Sequence, residues 1–376
     1  MSISIDQLVK QWNPKITTVF SEKEPLKLES GELLTDVQVA YEIIGTPRQD
    51  GSNVILVCHA LTGSAHVVEE NPEMPGSQFS GWWNQFIGKK KGIDTDKYCV
   101  VCSNILGSCY GTTGPLSVNP ATGKPYRMNF PVVTVRDMVR VQKKLMEFLD
   151  IPRVKAIIGG SLGAMQVWEW GVMYPDFADI LIPIAAGIKH SAWATALNRT
   201  ARKAIMNDPE WNSGNYFHQP LKGLALAREI AMISYKSPEL FSGKFDRKIQ
   251  DESRNKYTID ENDNYFQITN YLKYQGEKFT GRFDANSYIY LTKAMDLHDI
   301  SDGRAPAGDV LSEIKAFVLW IGINTDMLYP TSEFEPWIQY IPKGTLKTLY
   351  TVHGHDGFLI EHNLLSNIVQ PYLEKL

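Results

Sequence analysis

Six short apolar runs recur along the chain without the alternation of apolar and polar positions that marks a half-exposed strand. They occupy residues 54–58, 98–105, 154–160, 180–186, 316–323 and 346–352. The runs lie too far apart to form hairpins with one another, and continuous apolar strands are typical of a parallel sheet that is buried on both faces. Another stretch, 26–45, does alternate and turns at Ser30-Gly31, which predicts an antiparallel hairpin ahead of that sheet.

A helical pattern separates the second apolar run from the third. Within residues 134–151, one face carries Val135, Met138, Val141, Leu145 and Leu149. Thr134 and Asp137 have the spacing of an N-terminal capping signal. Strand, helix and strand in this order predict a βαβ unit, and the whole pattern predicts the α/β class, with helices on both faces of a mostly parallel sheet.

The succession of strands is interrupted between residues 187 and 315, where charged and aromatic residues follow a helical pattern. We interpret most of this segment as a helical insertion over the carboxyl edge of the sheet, where open α/β sheets bind their ligands. The predicted core domain therefore comprises residues 1–186 and 301–376, and the predicted helical lid comprises residues 187–300.

The composition excludes several classes of function. The 376 residues are 43% hydrophobic, which is enough for one large core. The formal charge of −4 gives no electrostatic reason to expect nucleic acid or an anionic membrane as a partner. No apolar stretch approaches the ~20 residues of a membrane span. Residues 1–15 lack the basic segment and apolar core of a secretory signal, so we expect a cytoplasmic protein.

Cysteine and histidine do not predict a metal site. The chain contains four cysteines: Cys58, Cys99, Cys102 and Cys109. Cys99 and Cys102 form a C-x-x-C pair inside an apolar strand, where positions three apart point to opposite faces, so we expect ordinary core cysteines. His59 and His66 have no carboxylate or thiol at ligand spacing nearby, and we expect no bound metal.

Residues 159–163 read Gly-Gly-Ser-Leu-Gly and fit the pattern G-x-S-x-G between a strand and a helix. A serine in this setting lies on a tight turn that lifts its Oγ above the sheet, and the glycines let strand and helix approach each other. The alternative is a glycine-rich turn that binds phosphate, but the segment lacks both the G-x-G-x-x-G spacing and the lysine of a P-loop. We therefore predict that Ser161 is a nucleophile.

A nucleophilic serine needs a base, and the base needs an acid that orients it, in the chain order Ser, Asp, His for this type of fold. Asp326 follows the run 316–323 and fits the acid. The run 346–352 is followed by His353 and His355, and spacing alone does not choose between them.

The oxyanion of the reaction needs two backbone N–H donors. The residue after the nucleophile, Leu162, should provide one of them. The second should come from the loop after an early strand, and the glycine-bearing loop within residues 54–66 makes Leu61 the expected donor.

Several longer motifs carry a resemblance to a known family. They are CHALTGSAH (58–66), GTTGPLSVNPATGKPY with FPVVTVRDMV (111–139), IIGGSLGAMQ (157–166), KGLALAREIAMISY (222–235), YQGEKFTGRFDANSYIYLTKAMD (274–296), DMLYP (326–330) and GHDGFL (354–359). Together they resemble the homoserine O-acyltransferase family of the α/β-hydrolase fold, chiefly the acetyltransferases that open methionine biosynthesis. The resemblance covers nearly the whole chain.

The resemblance implies a catalytic triad of Ser161, Asp326 and His355, with His355 rather than His353 as the base. It implies a two-step transfer in which the serine takes an acetyl group from acetyl-CoA and passes it to the hydroxyl of L-homoserine. No metal or resident cofactor is implied. A homodimer through the lid helices is also implied.

The resemblance also implies how the acceptor is bound. Arg228 would bind the carboxylate of the amino acid, Tyr235 would lie near it, and Asp356 would bind the ammonium group. A planar guanidinium suits a carboxylate better than a lysine does. Without the resemblance, Arg228 would be interpreted as a solvated charge on an amphipathic helix.

Four alternatives remain at this point. A succinyltransferase of the same fold would share the triad and differ in the donor pocket. An L-serine acceptor is shorter by one methylene, which is worth only about 1–3 kcal/mol of discrimination. An esterase would share the triad without needing the contacts to an amino acid. A binding module on an inactive hydrolase fold would require the loss of a triad position, and no position is lost.

Overall fold

Eight strands form one central sheet in the computed structural model, which describes residues 5–68, 81–253, 255–257, 259 and 265–375. The strands in these ranges are β1 (Lys15–Phe20), β2 (Leu26–Lys27), β3 (Leu33–Leu34), β4 (Val37–Ile44), β5 (Val54–Cys58), β6 (Cys99–Ser103), β7 (Val118–Asn119), β8 (Lys124–Pro125), β9 (Val154–Gly160), β10 (Ala178–Ile184), β11 (Phe317–Ile323) and β12 (Gly344–Leu349). The order in the central sheet is β1-β4-β6-β5-β9-β10-β11-β12.

The helices of the same ranges are α1 (Ile5–Trp12), α2 (Val135–Phe148), α3 (Leu162–Met173), α4 (Ala192–Met206), α5 (Leu221–Tyr235), α6 (Pro238–Lys244), α7 (Gln267–Thr280), α8 (Ala285–Asp296), α9 (Ala307–Ser312), α10 (Gly357–Ile360) and α11 (His362–Lys375). In this part of the chain, no helix is both long and apolar enough to span a membrane.

Each of the six apolar runs forms a strand of the central sheet. These six strands, in the sheet order β6-β5-β9-β10-β11-β12, pair in parallel with their neighbours. The predicted α/β class is therefore confirmed. β1 was not predicted, because only Val19 among its six residues is buried and the strand carries little apolar signal. It extends the sheet by pairing antiparallel with β4.

The hairpin predicted for 26–45 is only partly correct. β2 and β3 pair antiparallel on either side of Ser30-Gly31, and Gly31 has a φ of +89°. β4 leaves this hairpin and pairs with β1 and β6 instead, because its buried face belongs to the core of the central sheet.

Helix α2 begins as its sequence predicts. The Thr134 side chain accepts the N–H of Asp137, and the Asp137 carboxylate accepts the N–H of Thr134, which completes a capping box. The helix joins β6 to β9 and completes the predicted βαβ unit.

The stretch between β10 and β11 contains α4 to α9, of which α4 to α8 lie within residues 187–300, and its described residues contribute no strand to the central sheet. This arrangement agrees with an insertion over 187–300, whose limits remain a prediction. The insertion packs internally through α4 on α5 and α5 on α7.

The four cysteines are buried and form no disulfide. Cys99 packs in the apolar cluster that contains Leu56, and Cys102 packs in the cluster that contains Ile55. Leu56 and Ile55 are neighbours in β5 and point to opposite faces of the sheet, so the two thiols are separated as the strand pattern predicted.

Candidate active site

Ser161 lies on a strained turn between β9 and α3, with φ +58° and ψ −124°. A Cβ on Gly163 would lie 2.1 Å from the carbonyl oxygen of Cys58, and one on Gly159 would lie 2.6 Å from the same oxygen. Glycine is required at both positions because the end of β5 passes so close. The turn therefore holds the serine in a backbone conformation that residues other than glycine rarely adopt, as expected of a nucleophile elbow.

His355 and Asp326 form a buried hydrogen-bonded pair. His355 Nδ1 lies 2.7 Å from Asp326 Oδ2, and both side chains are almost completely shielded from solvent. The other carboxylate oxygen, Oδ1, accepts the backbone N–H groups of Leu328 at 2.8 Å and Tyr329 at 3.0 Å. These bonds fix the carboxylate, which in turn fixes the imidazole ring.

The pKa of His355 is raised above its ordinary value. Burial acts to lower the pKa, but the negative charge of Asp326 and its hydrogen bond to the ring outweigh burial. His353, the alternative from the sequence, is placed elsewhere: its Nε2 lies 3.7 Å from Glu361 Oε1. The structure thus brings His355 to Asp326 and leaves His353 in a different environment.

One cavity of about 290 Å³ connects most of the predicted site residues. Its lining includes Leu61, Ser161, Arg228, Tyr235, His355 and Asp356. Of the other two predicted residues, Asp326 reaches the cavity through His355, and Leu162 is fully buried behind Ser161. Residues from the sheet loops and from α5 therefore meet at a single place.

Two backbone N–H groups beside the serine have no acceptor in the part of the chain that the structure describes. Neither Leu61 N–H nor Leu162 N–H makes a hydrogen bond to any described residue. Both residues are buried, with 4% and 0% of their surface exposed. Buried N–H groups are nearly always paired, so two adjacent exceptions fit a site that awaits a negatively charged oxygen.

His59 supports this loop from within the core. Its Nε2 accepts the N–H of Ile105 at 3.1 Å, and its Nδ1 lies 2.8 Å from the carbonyl oxygen of Ala60. Burial lowers the pKa of His59 to about 4. His66 is paired instead with Glu42, at 2.9 Å. Across the described ranges, no cluster of three or more potential metal ligands occurs.

Arg228 lies in the cavity wall with no carboxylate at ion-pair distance among the described residues. Its Cζ lies 5.6 Å from the centre of the Tyr235 ring and 5.2 Å from that of Phe279. Burial lowers the pKa of Arg228, and the positive charge of Arg282 lowers it further. A partly buried cation whose neighbours among the described residues are aromatic rings rather than paired carboxylates favours an anionic ligand.

Asp356 is paired with a residue that the sequence did not single out. Lys236 Nζ lies 2.7 Å from Asp356 Oδ2. Arg282, which lines the cavity, is another residue that the sequence analysis missed. Arg282 lies within the motif at 274–296, and Lys236 directly follows the motif at 222–235, so these motifs were the available signal. A charged residue on a helix does not by itself reveal its partner.

The chain resembles several characterised proteins. Residues 53–360 match the model of the alpha/beta hydrolase fold. The homoserine O-acetyltransferase of Moorella thermoacetica is 46% identical over 368 residues, or 96% of this chain and 97% of that protein. The crystal structure of homoserine O-acetyltransferase from Bacillus anthracis has a TM-score of 0.87 at 28% identity, over 96% of this chain and 98% of the other. Esterase E22 has a TM-score of 0.83 at 30% identity, over 96% and 99% of the two chains.

Proposed function

Because the chain belongs to the homoserine O-acetyltransferase family of the α/β-hydrolase fold, we propose that it transfers an acetyl group to the hydroxyl of L-homoserine through an acetyl-Ser161 intermediate. The product, O-acetyl-L-homoserine, is consistent with a role in methionine biosynthesis. Acetyl-CoA is the proposed donor, and CoA is a substrate rather than a resident cofactor.

In the first step, His355 removes the proton of Ser161, whose Oγ attacks the thioester carbonyl of acetyl-CoA. Leu61 N–H and Leu162 N–H donate to the oxyanion of the tetrahedral intermediate. The C–S bond then breaks, and the imidazolium returns its proton to the leaving CoA thiolate.

In the second step, L-homoserine enters the same cavity. His355 removes the proton of its hydroxyl, and the hydroxyl oxygen attacks the acetyl-serine ester. Collapse of the second tetrahedral intermediate releases the product, and Ser161 recovers its proton from the imidazolium. Asp326 stabilises the positively charged ring in both steps.

Arg228 is proposed to bind the carboxylate of homoserine, and Asp356 its ammonium group. Tyr235, whose ring lies near both Arg228 and His355, would shape the space between them. The single observation that carries the proposal is that one cavity contains the serine turn, the histidine, the Leu61 N–H and the Arg228 guanidinium, and that among the described residues this N–H has no acceptor and this guanidinium has no ion-pair partner.

The test is CoA-thiol release by the purified protein with acetyl-CoA or succinyl-CoA, each with L-homoserine, L-serine or no acceptor. Release from acetyl-CoA that depends on homoserine, with an acetylated Ser161 peptide in mass spectra, is the expected result. A preference for succinyl-CoA would contradict acetyl-CoA as the donor, and a preference for L-serine would contradict L-homoserine as the acceptor. Equal release without an acceptor would identify an esterase, and a Ser161→Ala variant controls for background.

A homodimer through the lid helices is proposed as well. Leu226 and Ile233 lie seven residues apart on one face of α5, and about half of each side chain is exposed. Light scattering during size-exclusion chromatography would test the dimer, and Ile233→Glu should weaken it. A cytoplasmic location is proposed because four free thiols suit a reducing compartment, and cell fractionation would test it.

A further inference from the structure

Arg282 connects the predicted lid to the loop that carries Leu61. Its Nη1 donates to the carbonyl oxygen of Thr62 at 3.0 Å, and its Nη2 lies 3.5 Å from Thr62 Oγ1. We propose that Arg282 is a positioning residue that holds this loop in place, so that the lid completes the oxyanion hole. The proposal rests on the function proposed above, in which Leu61 N–H binds the oxyanion.

The loop itself is a tight turn with little internal support. Gly63 N–H donates to the carbonyl oxygen of Ala60 at 2.9 Å, which makes Leu61 and Thr62 the two central residues of a β-turn. The central N–H groups of such a turn take no part in its hydrogen bond, and this leaves Leu61 N–H free for a ligand. One hydrogen bond across four residues fixes the direction of that N–H only loosely.

Hydrogen bonds anchor both ends of the turn, and the Leu61 side chain packs in the apolar core, which leaves Thr62 as the part of the tip that the core does not hold. Gln166 Nε2 donates to the carbonyl oxygen of His59 at 3.2 Å, and Trp82 Nε1 donates to that of Ser64 at 2.8 Å. Between these two anchors, Thr62 makes its side-chain-mediated hydrogen bonds with Arg282 alone among the described residues. The Thr62 half of the tip is therefore tied to a residue that comes 220 positions later.

Arg282 is itself held rigidly enough to act as an anchor. Tyr110 Oη donates to the carbonyl oxygen of Arg282 at 2.5 Å, and Arg282 Nη1 lies 3.4 Å from the same Oη. The guanidinium Cζ lies 5.2 Å from the centre of the Phe279 ring. The side chain is thus fixed by a hydroxyl, a ring and the turn that it supports.

Arg282 and Arg228 differ in how they use their N–H groups, and this difference separates their roles. Arg282 donates to Thr62 and Tyr110, whereas Arg228 makes no hydrogen bond to any described residue. Arg228 is therefore the better receptor for the carboxylate of the acceptor. Arg282 is already hydrogen-bonded to Thr62 and Tyr110, so its loss should loosen the turn rather than remove a substrate contact.

The test compares Arg282→Met and Arg282→Lys with Arg199→Met, which removes an exposed arginine of α4. Arg282→Met should lower kcat by about 10- to 100-fold, approaching the effect of losing an oxyanion donor, while KM for homoserine changes little. Arg282→Lys keeps a hydrogen-bond donor, so its kcat should lie between that of Arg282→Met and that of the unsubstituted protein. Arg199→Met should have the same kcat and KM as the unsubstituted protein.

Two further readouts separate positioning from a merely structural role. A trifluoromethyl ketone analogue of acetyl-CoA, which binds serine as a tetrahedral adduct, should lose affinity for Arg282→Met in proportion to the loss of kcat. Free guanidinium ion should restore part of the activity of Arg282→Ala. Equal thermal melting of the variants and the unsubstituted protein excludes misfolding as the cause.

An unchanged kcat in Arg282→Met would overturn the proposal. A rise in KM for homoserine alone would also overturn it, because Arg282 would then bind the acceptor. If Arg282→Met does not fold, the kcat of Arg282→Lys and the guanidinium rescue of Arg282→Ala decide the question. Absence of acyl transfer in the unsubstituted protein would refute the proposed function instead, so the two failures are distinguishable.

Discussion

Lys236 Nζ lies 2.7 Å from Asp356 Oδ2, and Asp356 directly follows the histidine of the proposed triad. Asp356 is therefore not an isolated anion in the cavity, because a lysine already holds one of its oxygens. The charges of the pair act on His355 in opposite directions: Asp356 raises its pKa and Lys236 lowers it. If Asp356 binds the acceptor as proposed, the pair links that binding to the basicity of the histidine.

Replacing Lys236 with methionine should shift the pH dependence of the reaction. The imidazolium of His355 would lose a repelling cation and face an uncompensated Asp356, so its pKa would rise further. His355 must be neutral to act as a base, and the acid limb of the kcat/KM profile should move to higher pH. Lys236→Arg keeps the charge and should leave the limb in place. An unmoved limb in Lys236→Met would contradict this account.

Arg228→Met should impair the second half-reaction selectively. A charge-assisted hydrogen bond contributes about 1.5–3 kcal/mol, so we expect KM for homoserine to rise by about 10- to 100-fold. Acetylation of Ser161 in the absence of acceptor should proceed nearly as before, because the thioester does not need this cation. A burst of CoA release separates the two half-reactions. An equal loss of rate in both half-reactions would show that Arg228 acts on the donor as well.

Gly163→Ala should destabilise the fold as well as the site. The new Cβ would lie 2.1 Å from a backbone oxygen of Cys58, which has no rotamer to change. We expect a loss of at least about 1–3 kcal/mol in the free energy of unfolding. Gly243→Ala in α6 is the matched control, because nothing lies within 4 Å of its Cβ. Urea denaturation of both variants would show whether only the first is destabilised.

Glu169→Leu should be among the more destabilising single substitutions. Glu169 is 1% exposed and pairs with Arg136 at 3.1 Å and with Arg304 at 2.8 Å. Removing one partner from a buried ion pair costs about 3–5 kcal/mol. Arg304 would lose its carboxylate among the described residues, and Arg136 would keep only Glu29, at 3.1 Å. Lys315→Met removes an exposed pair with Asp176 and should cost less than about 1 kcal/mol. Similar losses in both variants would refute the distinction.

The parts of the site that a short stretch of sequence encodes were predictable. The strand, the glycines and the helix around Ser161 are neighbours in the chain, and their order restricts the turn. The capping box of α2 is equally local. By contrast, the bond from Arg282 to Thr62 crosses 220 positions, and the pair of Lys236 with Asp356 joins the end of α5 to a loop after β12. Local periodicity contains no information about such contacts, which depend on how the lid packs on the core.

The burial of the four cysteines has a chemical consequence for work with this protein. Burial raises the pKa of Cys99 to about 11, and it raises the pKa values of Cys58, Cys102 and Cys109 as well. The thiolate is the reactive form of cysteine, so the folded chain offers almost no sulfur nucleophile to an electrophile in solution. A chromogenic disulfide added to the native protein should therefore leave the protein unmodified. In a reaction mixture with acetyl-CoA, its colour would report liberated CoA alone.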